Sequence, residues 1–156
     1  MKRWMWALPL LAALSLGAAL RAQEDERGRR DSAVRETLDT FWSATMRGDA
    51  TAFRRSVDLP LTMLEPSAGD QTGMGRFILT EELWPAFKAN FPAAPLSPEQ
   101  VQVRISALRL EWMGEHTCLA VYDFAARTPT QESGGHFMTV ITWADGWKVV
   151  VTTVPV

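Results

Sequence analysis

The sequence is poor in the residues that most often carry out chemistry. Its 156 residues include one cysteine, one tyrosine and two histidines. The single cysteine, Cys118, excludes an intrachain disulfide, and its apolar neighbours predict a buried, unreactive thiol. The sequence also lacks a P-loop, a dinucleotide-binding glycine pattern, a zinc-ligand spacing and a Gly-x-Ser-x-Gly elbow. No nucleotide-binding or zinc class is indicated, and neither a cofactor nor a metal is expected.

Charge of neither sign dominates the chain. Sixteen basic and 18 acidic residues give a formal net charge of −2. Removal of residues 1–22, which contain three basic residues and no acid, would lower this charge to −5. An acidic protein is a poor match for nucleic acid or for an anionic membrane surface. We therefore expect no nucleic-acid partner, and no membrane partner once the first segment is removed.

The first 22 residues resemble an export signal. Lys2 and Arg3 precede an uncharged stretch, rich in Ala and Leu, that runs to Leu20 and is followed by a charged segment. A positive start, an apolar centre and a small-residue exit are the parts of a cleaved secretory signal peptide. We expect cleavage after Ala22 and a secreted or periplasmic location. A retained membrane anchor is the alternative.

The rest of the chain is predicted to contain helices first and strands afterwards. Residues 23–30 form a charged linker, and residues 31–156 form one domain whose first helix is capped at Asp31 and ends at Gly48. After Pro98 the apolar period changes from helical to two, which predicts antiparallel strands. This order predicts an α+β fold in which N-terminal helices pack on a strongly bent antiparallel sheet that forms a cone. The mouth of a cone is a natural small-molecule pocket.

Two local signals specify the geometry of the sheet. At Ala107-Leu108 the alternation slips by one residue, which predicts a β-bulge that bends the sheet. Asp145-Gly146 lies between two runs of β-branched and aromatic residues and predicts a two-residue hairpin turn. That turn would pair Ala144 with Trp147, Thr142 with Val149, and Val140 with Val151.

The predicted strand pairing across residues 127–133 places the candidate site residues. If Ala126 pairs with Gly134, Tyr122 and His136 are diagonal neighbours on one apolar face. Histidine exchanges a proton near neutral pH, and a buried tyrosine hydroxyl can hold an oxyanion, so these two are the predicted catalytic residues. The alternative is that both lie in the core with satisfied hydrogen bonds. The predicted pocket wall consists of Trp42, Phe53, Phe124, Met138 and Val140.

The order of elements resembles that of the nuclear transport factor 2-like superfamily, which includes ketosteroid isomerases and many uncharacterised secreted bacterial proteins. The resemblance depends on the first helix and the segment Gly48 to Phe53, on Val57-Asp58-Leu59-Pro60, and on the closing strand from Asp145 to Val150. It implies the cone-shaped fold and, because members often pair through their sheets, a homodimer. The catalytic patterns of the family have no residue-by-residue match here, since isomerases of this kind use a carboxylate base with a tyrosine and an acid.

Three functions follow as hypotheses. The first is an exported domain that binds a small apolar molecule in its cone without transforming it. The second is a cofactor-free isomerase, dehydratase or cyclase that uses His136 as acid and base and Tyr122 as oxyanion donor. The third is an oligomerisation module that buries one sheet face against a partner. That face is assigned Val121, Phe137, Ile141 and Trp143.

Overall fold

The computed structural model describes the backbone of residues 7–66 and 74–153, and the side chains of residues 21–65 and 75–153. The chain divides into two units, residues 1–33 and residues 34–156. The elements, in chain order, are α1 (Ala7–Arg47), α2 (Ala50–Ser56), β1 (Val57–Pro66), β2 (Met74–Leu79), α3 (Trp84–Lys88), a short 3-10 helix (Pro98–Gln100), β3 (Gln102–Trp112), β4 (Thr117–Arg127), β5 (Glu132–Trp143) and β6 (Trp147–Thr153).

Helix α1 begins earlier than the sequence predicts. Residues 23–30, predicted as a linker, and Asp31, predicted as the N-cap, both lie inside it. These residues contain no proline, and Glu26 and Arg29 form an ion pair one turn apart. Charged helix formers at this spacing favour a continuous helix, so Asp31 does not start a new one. Among the described residues, no helix is long and apolar enough to cross a membrane. Export and cleavage after Ala22 remain predictions.

From Val34 onwards, α1 follows the predicted apolar spacing. Val34, Leu38 and Trp42 are each at most 3% exposed and form part of the core. The helix ends where Gly48 takes a left-handed φ of +69°. A Cβ at that position would lie 2.6 Å from the ring of Pro92, so glycine is required. The predicted helix end is therefore confirmed.

Two further local predictions are also confirmed. The side chain of Asp49 caps α2 by accepting a hydrogen bond from the backbone N–H of Ala52 at 2.9 Å. Cys118 is fully buried on β4. Both outcomes follow from local sequence context alone.

The six described strands form one open sheet in the order β2-β1-β6-β5-β4-β3. Neighbouring strands are antiparallel except for β1 and β6, which run parallel. The predicted α+β fold, with N-terminal helices packed on the sheet, is confirmed, and the sheet is mixed. The parallel pair arises because the last strand returns beside the first, after the β1–β2 pair and the β3–β4–β5 meander.

Strand β3 contains the predicted bulge. Its register with β4 shifts between Ser106 and Arg109, and Ala107 takes a left-handed φ of +50°. The extra residue restores the alternation that the core needs, and it moves Arg109 to the face opposite the core. The apolar residues of β3 that pack on the core are Val103 and Ile105 before the bulge, and Leu108, Leu110 and Trp112 after it.

The predicted two-residue turn at Asp145-Gly146 is wrong. Trp143 pairs with Trp147, so residues 144–146 form a three-residue loop. The ring of Trp147 packs edge-to-face against Trp143 at 5.5 Å, and this cross-strand aromatic pair replaces the predicted pairing of Ala144. A register shift next to Val140 then restores the predicted Val140–Val151 pair.

The predicted register between β4 and β5 is also wrong, by one residue. Ala126 pairs with Ser133, so Tyr122 lies opposite Phe137 and Asp123 lies opposite His136. A slip of one residue moves every side chain of a strand to the other face. The observed register buries the side chain of Phe137, which is 1% exposed, whereas the predicted register would have buried the imidazole of His136 in its place.

Candidate functional site

The structure places the two predicted catalytic residues on opposite faces of the sheet. Tyr122 is fully buried on the core face, the face that packs on α1. His136 lies on the other face, which we call the outer face, with its side chain 72% exposed. The predicted Tyr122–His136 pair is therefore a product of the wrong register. One bound molecule cannot reach both groups.

The predicted pocket wall is divided between the same two faces. Trp42, Phe53 and Phe124 are buried in the core. Met138 is 45% exposed, and Val140 is half-buried beside it on the outer face. These five residues therefore do not surround one cavity.

The core face is held together by a chain of hydrogen bonds. The indole N–H of Trp42 donates to the Tyr122 hydroxyl at 2.7 Å, and the hydroxyl groups of Tyr122, Thr139 and Thr152 follow at 2.8 and 3.1 Å. Thr152 donates to the carbonyl oxygen of Thr153 at 3.1 Å. Since each hydroxyl has one proton, Thr139 donates to Thr152, and Tyr122 donates to Thr139. Every hydroxyl in the chain is satisfied.

Burial raises the pKa of the Tyr122 phenol, although its hydrogen bonds to Thr139 and Trp42 act in the opposite direction. The phenol therefore stays neutral and acts as a structural donor and acceptor. Around it, the ring of Trp42 lies 4.2 Å from Phe124 and 4.8 Å from Phe137. At this point, the space between α1 and the sheet is filled by the protein's own side chains.

Three polar side chains that the sequence analysis did not place together are neighbours on the outer face. Ser106, Asp123 and His136 form a row across β3, β4 and β5. Nδ1 of His136 contacts the carboxylate oxygen Oδ1 of Asp123. Because Asp123 lies between the other two residues, the histidine is not placed to activate the serine, and the row is not a Ser-His-Asp triad.

A depression of about 470 Å³ adjoins this row. We call it the Arg109 depression. Its lining residues are Ala107, Leu108, Arg109, Val121 and His136. The phase slip at Ala107-Leu108 was the sequence signal that could have located Arg109 on the outer face. The wrong β5 register concealed its proximity to His136.

Apolar side chains form the centre of the outer face. We call this surface the outer patch. Met138 is its most exposed member, and the others are half-buried. The outer patch consists of Leu119 and Val121 on β4, Met138 and Val140 on β5, and Val151 on β6. Among the described residues, no group of three His, Cys, Asp or Glu residues is arranged to hold a metal ion.

No family model matches the chain, and no curated protein matches it. Solved structures do resemble it. An NTF-2 like protein of unknown function from Shewanella oneidensis MR-1 is 15% identical with a TM-score of 0.57, over 81% of this chain and 99% of that one. The association domain of C. elegans CaMKII is 18% identical with a TM-score of 0.60, over 83% of this chain and 97% of that one.

A protein from Shewanella frigidimarina, proposed to be a ketosteroid isomerase, is 16% identical with a TM-score of 0.54. The match covers 79% of this chain and 94% of that one. These similarities show that the chain has the NTF2-like fold, as the sequence resemblance predicted. At such low identity they show the fold alone.

Proposed function

We propose that this NTF2-like domain is an association module that binds a second copy of itself through the outer patch. The observation that carries the proposal is the apolar centre of the outer face, where Met138 is 45% exposed. An exposed apolar surface with a rim of polar groups is typical of protein interaction sites.

The charges around the outer patch suit a symmetric contact. In a two-fold interface each face meets a copy of itself, so a face that carries both signs can complement itself. The outer face provides three arginines and three acids. They are Arg104, Arg109 and Glu111 on β3, Asp123 and Arg127 on β4, and Glu132 on β5.

The outer face is also large enough. Strand β4 has 11 residues, which corresponds to a length of about 36 Å. The four strands β3 to β6 span about 19 Å, so the face covers about 700 Å². Each partner in a standard protein interface buries about 600–1,000 Å², so the face lies within this range. The similarity to a domain described as the CaMKII association domain supports the same function.

The other two hypotheses have less support. Binding of a small apolar molecule between α1 and the sheet at the position of Trp42 would require Trp42 to separate from Phe124 and to give up its hydrogen bond to Tyr122. An enzyme that uses His136 together with Tyr122 would require both groups on one face. Association requires no rearrangement of the fold.

Sedimentation velocity over about 1–100 µM protein, the range of transient to stable association, tests the proposal. We expect a concentration-dependent dimer, and we expect Met138→Asp to shift it to monomer because a carboxylate would be buried in the contact. Met113→Asp is the matched control, since Met113 is 54% exposed but lies in the β3–β4 turn. A wild-type monomer throughout, or equal disruption by both variants, would overturn the proposal.

A further inference from the structure

The bulge in β3 gives Arg109 an unusual position. Ala107 takes a left-handed φ of +50°, which a residue with a Cβ rarely adopts. The bulge lets Leu108 pack on the core while Arg109 moves to the outer face, opposite Val121 of β4. Bulges of this kind re-aim side chains and are common beside functional sites.

The guanidinium groups of Arg104 and Arg109 are not neutralised. Within the residues that the structure describes, neither has a carboxylate oxygen within 4.0 Å. The acid on the neighbouring strand, Asp123, is already in contact with His136.

His136 adds an oriented hydrogen-bonding group to the Arg109 depression. Its Nδ1 is held by Asp123, which leaves Nε2 as the nitrogen that is available to a bound molecule. A carboxylate partner that fixes one ring nitrogen sets the tautomer and the direction of the other. The rest of the wall, from Ala107, Leu108 and Val121, is apolar.

We propose that the Arg109 depression binds a small monocarboxylate with an apolar body. The planar fork of a guanidinium matches the two oxygens of a carboxylate. The apolar wall would cover the hydrocarbon part, and about 470 Å³ is within the range of small-molecule sites. A phosphate ion has no apolar body, so its remaining oxygens would lie against the apolar wall of Ala107, Leu108 and Val121 without partners. Every lining residue comes from one copy, so the site is complete in a monomer. Val121 also belongs to the outer patch, so a bound carboxylate and a second copy would compete for this surface.

Benzoate is a suitable probe, and ¹H–¹⁵N NMR titration is a suitable measurement. We expect saturable shifts of the amides of Arg109, Val121 and His136. Benzamide, which has the same shape without the charge, should bind about tenfold more weakly, because hydrogen bonds to a charged group are the stronger ones. Inorganic phosphate should not saturate the same amides.

Arg109→Gln should weaken benzoate binding about tenfold, as expected for the loss of a charge-assisted hydrogen bond. Arg55→Gln is the matched control, because it removes the same charge from an exposed position on α2. Preserved dispersion of the amide spectrum would show that Arg109→Gln still folds. Should benzoate fail to saturate up to about 10 mM, the weak end of measurable affinity, the proposal is wrong. Equal weakening by both arginine variants, or equal binding of phosphate, would also overturn it.

The same titration on Val151→Asp, which changes the outer patch on β6, three strands away from Arg109, separates this proposal from self-association. If that variant is monomeric and still binds benzoate, both proposals stand. If it is monomeric and does not bind benzoate, while Arg109 and His136 keep their native amide shifts, the proposal that one copy forms the complete site is wrong.

Discussion

At the residue scale, the hydroxyl group of Tyr122 links α1 to the sheet, because it accepts a hydrogen bond from Trp42 and donates one to Thr139. All three side chains are buried, so water cannot replace a lost partner. An unsatisfied buried donor costs more free energy than a formed bond contributes. The network therefore specifies how the helix docks, as well as stabilising it.

Removal of this hydroxyl tests that interpretation. We expect Tyr122→Phe to lower the free energy of unfolding by about 1–3 kcal/mol, because the indole N–H of Trp42 loses its acceptor. Urea denaturation followed by far-ultraviolet circular dichroism gives the value. A double-mutant cycle with Trp42→Phe isolates the coupling between the two side chains. A coupling energy near zero would mean that the hydrogen bond contributes nothing to docking.

At the element scale, β3 accepts an unfavourable backbone conformation so that its core residues can pack. Ala107 is the only residue other than glycine with a positive φ in the described part of the chain. A left-handed conformation costs an L-residue about 1–2 kcal/mol. The packing of Leu108 and Leu110 on the core offsets this cost.

Glycine at position 107 should relieve the strain. We expect Ala107→Gly to raise the free energy of unfolding by about 0.5–1 kcal/mol, since the relief exceeds the extra entropy of glycine in the unfolded chain. Ala125→Gly, on the exposed face of β4, is the control and should destabilise the protein by a similar amount. Thermal unfolding of both variants measures the difference. Destabilisation by Ala107→Gly would show that the bulge is not strained.

The same strands show which features of the fold were predictable. The bulge at Ala107-Leu108 and the cap at Asp49 depend on neighbouring residues, and both were predicted correctly. The register of β4 and β5 depends on contacts distant in sequence, because β4 is apolar on both faces from Cys118 to Tyr122. The burial of Phe137 against Trp42, 95 positions away in the chain, sets that register.

The sequence analysis did not find the Arg109 depression because the β5 register depends on this same non-local contact. A shift of one residue in β5 changed the neighbours of His136. The predicted register placed Tyr122 diagonally across from it on the core face, whereas Asp123 lies directly opposite it on the outer face. His136 lines the Arg109 depression. Its partners could not be read from the sequence, because strand alternation fixes relative faces only after one pair is known.

At the scale of the whole molecule, the two faces of the sheet differ in how their polar groups are arranged. The core face uses its few polar groups to satisfy each other, whereas the outer face carries three arginines and three acids around an apolar centre. In a monomer, this arrangement leaves the outer patch in contact with water. Pairing of two outer faces would cover it and bring opposite charges together.

The charge balance of the outer face makes a further prediction about self-association. Arg104→Glu changes the charge of each face by two, and both copies of a symmetric dimer carry the change. We expect the dissociation constant to rise about tenfold at low ionic strength, and to rise less in about 0.5 M salt, where screening shortens the range of the repulsion. Arg35→Glu makes the same change in net charge at an exposed position on α1, which packs on the core face, and should leave the dissociation constant unchanged. Sedimentation equilibrium at the two salt concentrations measures both. If Arg35→Glu weakens association as much as Arg104→Glu does, the net charge of the molecule controls association, and the outer face is not the interface.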